Sequence, residues 1–419
     1  EYIKGKRENV SFLSCNDYFD ISNKRIKFSG VVNDFNSCDQ YNFLPSNSIG
    51  CVNAGKLDKK RCWFVKFFNQ GTKNVHVMTN LLVDYSTIGG KESRNIFVAD
   101  ACGTIYSIDF FSGRVNWTLR TTDKDASSGT YMCICGARKN LLYIVTSFSE
   151  MIVCDKKDGR IIYRKDLPYP ARGPILFDKD RNSVYVLSAN SSLSAFSADN
   201  CELLWQHTGM FRDYGIVGLP KPALFDDLVI VPYRTGEVFA LNQASGDVVW
   251  EIFAAKSNIT DSMASFSDIK ASPVIFNDKG IFVSNSGSMI CVDVKSGNML
   301  WESKISGGVE TPAVDGNVIF VINNNSDILA IDISDGKKFW VKNLNSILED
   351  GKVAEKWYGP VITSNGVLVC NSYGDIFYLS AYDGRVLYRY NIGKRIVLSP
   401  IFIKCAILIV SDSGVELLK

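Results

Sequence analysis

Histidine is almost missing from this chain: there are two, His76 and His207, in 419 residues. Neither has a second His, Cys or carboxylate at a ligand spacing, which leaves little for a His-built metal centre or a Ser-His-Asp triad. There is no glycine-rich phosphate loop, no Cys-x-x-Cys-His haem site and no pair of adjacent cysteines. Gly89-Gly90-Lys91 lacks the upstream glycine of a phosphate loop and reads as a loop tip. Charge of one sign is also lacking: the net charge is +2, and no basic cluster exceeds Lys59-Lys60-Arg61. A nucleic-acid partner is therefore not expected. No apolar run reaches the ~18 residues that cross a bilayer. These absences predict no catalytic residues, no metal and no cofactor.

The 12 cysteines are scattered rather than framed. Cys154, Cys291 and Cys370 sit in short apolar runs and read as buried thiols. Cys133-Ile-Cys135 is too close for the usual metal knuckle, and residues i and i+2 of a strand rarely form a disulfide. Cys15, Cys38, Cys51 and Cys62 lie in polar sequence, where a disulfide framework is possible.

What is present is repetition. Asp109-Phe-Phe-Ser-Gly113-Arg-Val-Asn-Trp117 is the first copy of a phrase whose fifth position recurs at 159, 201, 246, 297, 336 and 384, a spacing of 39 to 51 residues. Each copy ends four residues later in Trp or Tyr: Trp117, Tyr163, Trp205, Trp250, Trp301, Trp340 and Tyr388. Such a period marks one supersecondary unit that cannot bury its apolar faces alone. Dense runs precede each phrase, among them Val238-Phe-Ala-Leu241, Ile328-Leu-Ala-Ile331 and Ile376-Phe-Tyr-Leu379. They are too short for helices and apolar on both faces, so they predict strands sandwiched between neighbouring sheets. The glycine closes a tight hairpin that requires positive φ. Cys201 breaks that rule, and Asn200 beside it is expected to take the left-handed conformation. Two further strands upstream, such as Pro273-Val-Ile275 with Ile281-Phe-Val283, complete four antiparallel strands per unit.

This pattern predicts an all-β, eight-bladed propeller. The eighth unit is split. Pro400-Ile-Phe402, Ala406-Ile-Leu-Ile-Val410 and Val415-Glu-Leu-Leu418 supply three strands, and Arg61-Cys-Trp63-Phe-Val-Lys-Phe67 supplies the aromatic fourth. Pairing them closes the ring and removes two exposed edges. The aromatics, with Trp63, are expected to staple blade to blade; the alternative is that they bind a flat ring such as a quinone. Residues 61–419 then form the propeller. Residues 1–60 read as a tail or linker with little regular structure, one candidate short strand being Arg25-Ile-Lys-Phe28. The chain begins at Glu1 without Met or a signal-like segment, so a processed or truncated chain is expected.

The phrase Asp-x-x-x-Gly-x-x-x-Trp after a strand resembles the repeat of quinoprotein-type propellers. More specific segments are Pro232-Tyr-Arg-Thr-Gly-Glu-Val-Phe-Ala-Leu241, Ala264-Ser-Phe-Ser-Asp-Ile269, Gly307-Gly-Val-Glu-Thr-Pro312, Trp357-Tyr-Gly-Pro360 and Ala381-Tyr-Asp-Gly384. With these, residues from about Leu57 to the C-terminus resemble the BamB family, in its alphaproteobacterial forms. The resemblance implies a non-enzymatic scaffold at the periplasmic face of the bacterial outer membrane, tied to the membrane only through a lipid anchor. Its implied partners are the periplasmic domains of BamA-like proteins and nascent outer-membrane proteins. It also implies a contact surface on two loops, Gly215-Ile-Val-Gly218 and Ser265-Phe-Ser-Asp-Ile-Lys270. The partner-binding candidates are Ile216, Val217, Gly218, Ser267 and Asp268. Val217 stands where some relatives carry arginine, and Lys270 where they carry a second acid, so partner residues should differ too. Two other classes remain: a generic propeller interaction or lumenal sensor domain, and a quinone-dependent dehydrogenase, whose vicinal cysteine pair is missing here.

Overall fold

The computed structural model describes residues 24–27, 61–67, 78–79, 81–88, 91–100, 102–121, 132–171, 173–178, 180–210, 220–233, 235–253, 269–285, 287–363, 366–403 and 406–418. Within them the chain forms eight sheets. Blade 1 spans 82–120, blade 2 132–166, blade 3 176–208, blade 4 223–253, blade 5 274–304, blade 6 313–343 and blade 7 357–391. Each is a four-stranded antiparallel meander; a short strand, Met78–Thr79, also pairs in parallel with Met132–Cys133 of blade 2. Blade 8 combines 401–418 with Arg61–Lys66, whose Trp63 and Val65 oppose Leu417 and Val415. The molecule is thus an eight-bladed propeller closed by an N-terminal strand.

Apolar side chains on successive residues of a strand point to opposite faces, and here each face meets a different neighbour. Val367 and Val369 of blade 7 pack with Phe320 and Ile328 of blade 6, whereas Leu368 and Cys370 pack with Ile407 and Ile409 of blade 8. Eight buried clusters result among the described residues, one per gap between neighbouring blades. The cluster that joins Val65 and Leu417 of blade 8 to Ile96 and Tyr106 of blade 1 completes the ring.

The repeated phrase builds the joints. Between the third and fourth strands of all eight blades the register slips by one residue just before the aromatic, at Ser107/Ile108 opposite Trp117 and Val115 for instance. A bulge of this kind bends the strand and re-aims the next side chain. Six indoles use it to reach the following blade. Trp63 donates to Phe110 O, Trp117 to Lys156 O, Trp205 to Gln243 O, Trp250 to Val294 O, Trp301 to Ile333 O and Trp340 to Ala381 O, at 2.8 to 3.0 Å. The acceptor always lies three residues before the turn glycine. A Cβ on that glycine would fall 2.5 to 2.8 Å from indole carbons, so the close approach as much as the positive φ selects glycine.

Two joints depart from this form. Tyr163 faces Cys201, its hydroxyl 2.9 Å from the thiol. Cys201 itself, not Asn200, takes the left-handed conformation at φ 53°. The single ring of tyrosine leaves room for a Cβ that an indole would exclude. Tyr388 is half exposed, its ring tilted 38° to that of Tyr378 of its own blade at 6.4 Å. In blade 8 the third and fourth strands come from opposite ends of the ring sequence, so no glycine hairpin waits for it. Cys201, Cys291 and Cys370 are buried thiols, and burial pushes the Cys291 thiol up to about 12. Cys15, Cys38 and Cys51 lie outside the described residues, as does Gly89-Gly90.

Candidate partner-binding surface

In an antiparallel meander the turns alternate between two faces of the ring. The turns between second and third strands share one face with the connections that lead to the next blade. The repeated glycine hairpins and the turns between first and second strands share the other. The two candidate loops are blade-to-blade connections, from 3 to 4 and from 4 to 5, so both leave the first face side by side. Ile216, Val217, Gly218, Ser267 and Asp268 lie outside the described residues, but the bases of both loops are described.

Those bases are tightly held. Gly209 donates to Ser191 O at 2.9 Å, and Met210 N–H to the Glu237 carboxylate at 3.1 Å. Thr235 Oγ1 donates to the same Glu237 oxygen at 2.6 Å. His207 Nδ1 lies 2.8 Å from the Tyr233 hydroxyl; burial holds the imidazole below its ordinary value, against the opposing pull of Glu237 and Glu251. On the axial side, Lys221 N–H donates to Ser272 Oγ and Ser272 N–H to Thr311 Oγ1, which ties blades 4, 5 and 6 together. Burial lowers the Lys221 ammonium well below its usual range.

The polar belt continues around the axis. Ser399 Oγ donates to Glu310 Oε2 at 2.9 Å, Lys356 Nζ stands 3.2 Å from Glu310 Oε1, and Gly359 N–H donates to Ser399 Oγ. The Glu310 carboxylate raises the Lys356 ammonium despite its burial. Two of the segments that carry the sequence resemblance, the one with Glu310 and Thr311 and the one with Gly359, thus contribute to this belt.

Sequence reasoning did not find two exposed apolar side chains at the loop bases, Met210 at 58% and Phe253 at 50% exposure. Their only signal is position, at or just beyond the end of an outer strand where the chain leaves for the next blade. Asp268 is followed by Ile269, which is fully buried, so the second loop re-enters the ring directly after the candidate acid. Of the remaining sequence candidates, Trp63, Trp117, Trp205, Trp250, Trp301 and Trp340 lie in the blade joints and away from this face. His76 lies outside the described residues. Among the described residues no group of three or more His, Cys, Asp or Glu side chains is placed to hold a metal.

The model of a family described as outer membrane protein assembly factor BamB matches residues 101–342, more than half of the chain and both candidate loops. The chain belongs to the BamB family. An uncharacterized protein of Rickettsia conorii is 28% identical over 207 residues, 49% of each chain. The match therefore spans about half the length of that relative. BamB of Moranella endobia is 20% identical over 333 residues, 77% of this chain and 82% of that one. Among solved structures, BamB from Moraxella catarrhalis superposes with a TM-score of 0.70 at 15% identity, over 86% of this chain and 99% of that one. A europium-containing methanol dehydrogenase shares the ring at a TM-score of 0.67 and 12% identity, over 90% of both chains. Likeness at these identities establishes the propeller and nothing of the chemistry.

Proposed function

We propose that this protein is a non-enzymatic scaffold of the outer-membrane β-barrel assembly machine. In this reading it works at the periplasmic face of the outer membrane, binds the periplasmic domains of a BamA-like protein and assists folding and insertion of outer-membrane proteins. The observation that carries the reading is the family match, because it runs through both candidate loops. The geometry supports it: the bases of the two connections are fixed by Glu237 and by Lys221 with Ser272, and Met210 and Phe253 are exposed there. Apolar anchors beside a charge are the usual make-up of an interface centre, where few residues carry most of the energy. Ile216 and Val217 supply the anchors and Asp268 the charge. A scarcity of histidine and the lack of adjacent cysteines favour the non-enzymatic reading over a quinone-dependent dehydrogenase.

Affinity capture of the intact protein from cell envelopes tests this. A BamA-like β-barrel protein with periplasmic domains should co-purify in stoichiometric amount. Capture without any component of β-barrel assembly, or a tight saturable complex with a quinone, would overturn it.

A further inference from the structure

On the face opposite the candidate loops, a short segment of the N-terminal region lies against blade 6. Residues 24–27 form no ladder with the ring, and the strand expected at Arg25-Ile-Lys-Phe28 is not there in the described residues. The backbone is held by one residue instead. Asn317 Oδ1 accepts from Lys27 N–H at 2.6 Å, Asn317 Nδ2 donates to Arg25 O at 3.1 Å, and Asn317 N–H donates to Lys27 O at 3.3 Å. These contacts read backbone, so they are indifferent to the side chains at positions 25 and 27. Two side chains add selectivity. Lys24 Nζ donates to Ser334 Oγ at 2.6 Å and Asp335 Oδ2 at 2.8 Å, and stands 3.5 Å from Asp332. Ile26 packs on the apolar cluster shared by blades 6 and 7, which includes Phe320 and Trp357. Alternation puts residues i and i+2 on one side of an extended chain, which matches Lys24 and Ile26 facing the ring.

Blade 6 differs from its neighbours where this happens. In blades 3, 4 and 5 the residue equivalent to Asn317 is engaged within the ring: Asn182 by Asp199, Asp227 by Arg181, and Asp278 by Lys295. The outer strand differs as well. Leu203, Val248 and Met299 are about half exposed in blades 3, 4 and 5, whereas their counterpart Lys338 is 6% exposed. A buried residue at the start of the outer strand and an asparagine bound to a peptide backbone occur together only in blade 6 among blades 3 to 6.

We propose that this corner of blade 6 is a docking site for an extended peptide of the pattern lysine, any residue, aliphatic, and that its resident occupant is the chain's own segment 24–27. Asn317 is the backbone reader, Asp335 with Ser334 the lysine seat, and the blade 6–7 cluster the aliphatic seat. The ion pair is half exposed and serves orientation more than affinity. The site lies on the other face from the candidate loops, so it stands or falls independently of the scaffold function.

The test uses the full-length chain and a fluorescent peptide carrying residues 21–30. Wild type should bind the peptide weakly, because a tethered occupant competes at an effective concentration in the millimolar range. The double substitution Lys24→Ala/Ile26→Asp should empty the site and tighten peptide binding at least about tenfold. Adding Asn317→Ala and Asp335→Lys to that chain should abolish the gain. Equal affinity in wild type and the double variant, no binding to either, or indifference to Asn317→Ala/Asp335→Lys would overturn the proposal. A second readout needs no peptide. The Lys27 amide should be protected from hydrogen exchange in wild type, lose protection in Lys24→Asp, and regain it when Asp335→Lys is added. An unprotected Lys27 amide in wild type would overturn it too.

Discussion

The joint between blades 2 and 3 allows the packing argument to be tested by exchange of parts. Every indole joint faces glycine, and the tyrosine joint between blades 2 and 3 faces Cys201. Replacing Tyr163 by Trp alone sets an indole against the Cβ and thiol of Cys201, where comparable contacts at the glycine joints would fall at 2.5 to 2.8 Å. Overpacking of this kind costs about 1–3 kcal/mol. Cys201→Gly alone removes the thiol's contacts with the Tyr163 hydroxyl at 2.9 Å and Met151 Sδ at 3.5 Å. That loss of roughly 1 kcal/mol is offset by relief of a left-handed non-glycine residue, worth about 1–2 kcal/mol. The double variant rebuilds the common joint. Its acceptor, Ala198 O, already receives the Tyr143 hydroxyl at 2.6 Å, but Gln243 O has both the Trp205 indole at 3.0 Å and the Tyr185 hydroxyl at 3.5 Å near it. The double-mutant cycle should therefore show a favourable coupling of about 1–3 kcal/mol. Urea unfolding followed by tryptophan fluorescence and far-ultraviolet circular dichroism measures it. Additivity within about 0.5 kcal/mol would refute the claim that ring size and turn residue select each other.

Three other outcomes follow from the same structure. Gly336→Ala places a Cβ 2.5 Å from Trp301 at φ +75° and should destabilise by about 2–4 kcal/mol in the same unfolding assay. Asp375 is buried, which would raise its carboxyl, but hydrogen bonds from Asn391, Asn371 and Arg389 outweigh burial and lower it. Its contribution is therefore complete above the unfolded value near 3.9 and is lost as pH falls through the lower folded value; Asp375→Asn should cost about 1–3 kcal/mol at pH 7 and flatten that acid limb. Deleting residues 61–67 removes the fourth strand of blade 8, and light scattering should then show aggregation through the bared edge of 414–418.

The ring was legible because its determinants are local and repeated. Apolar runs such as Met289-Ile-Cys-Val292, the turn glycines and the trailing aromatics each state one requirement of a blade, and seven copies leave little freedom. The split eighth blade was legible for the same reason: Trp63 supplies the aromatic that the C-terminal strands lack. What the sequence concealed depends on distant parts. That a side chain fits at Cys201 depends on the tyrosine of the preceding blade, and the exposure of Tyr388 on a missing hairpin. Lys221 is buried in a segment tied to Ser272 of the next blade. Arg25-Ile-Lys-Phe28 has the composition of a strand, yet Asn317, nearly three hundred residues away, holds its backbone. The bases of the candidate loops are likewise fixed by tertiary contacts, Met210 to Glu237 and Lys221 to Ser272, which no local pattern announces.

The central claim, that this ring is an assembly scaffold acting through the loops between blades 3 and 5, is tested most directly by calorimetry. The full chain would be titrated with the matching periplasmic domains of its BamA-like partner, alongside Ile216→Asp and Asp268→Arg. The account predicts a saturable complex that each substitution weakens by roughly 2 kcal/mol or more, with thermal unfolding unchanged. A complex of the same affinity in the double variant, or none with the wild-type chain, would contradict it.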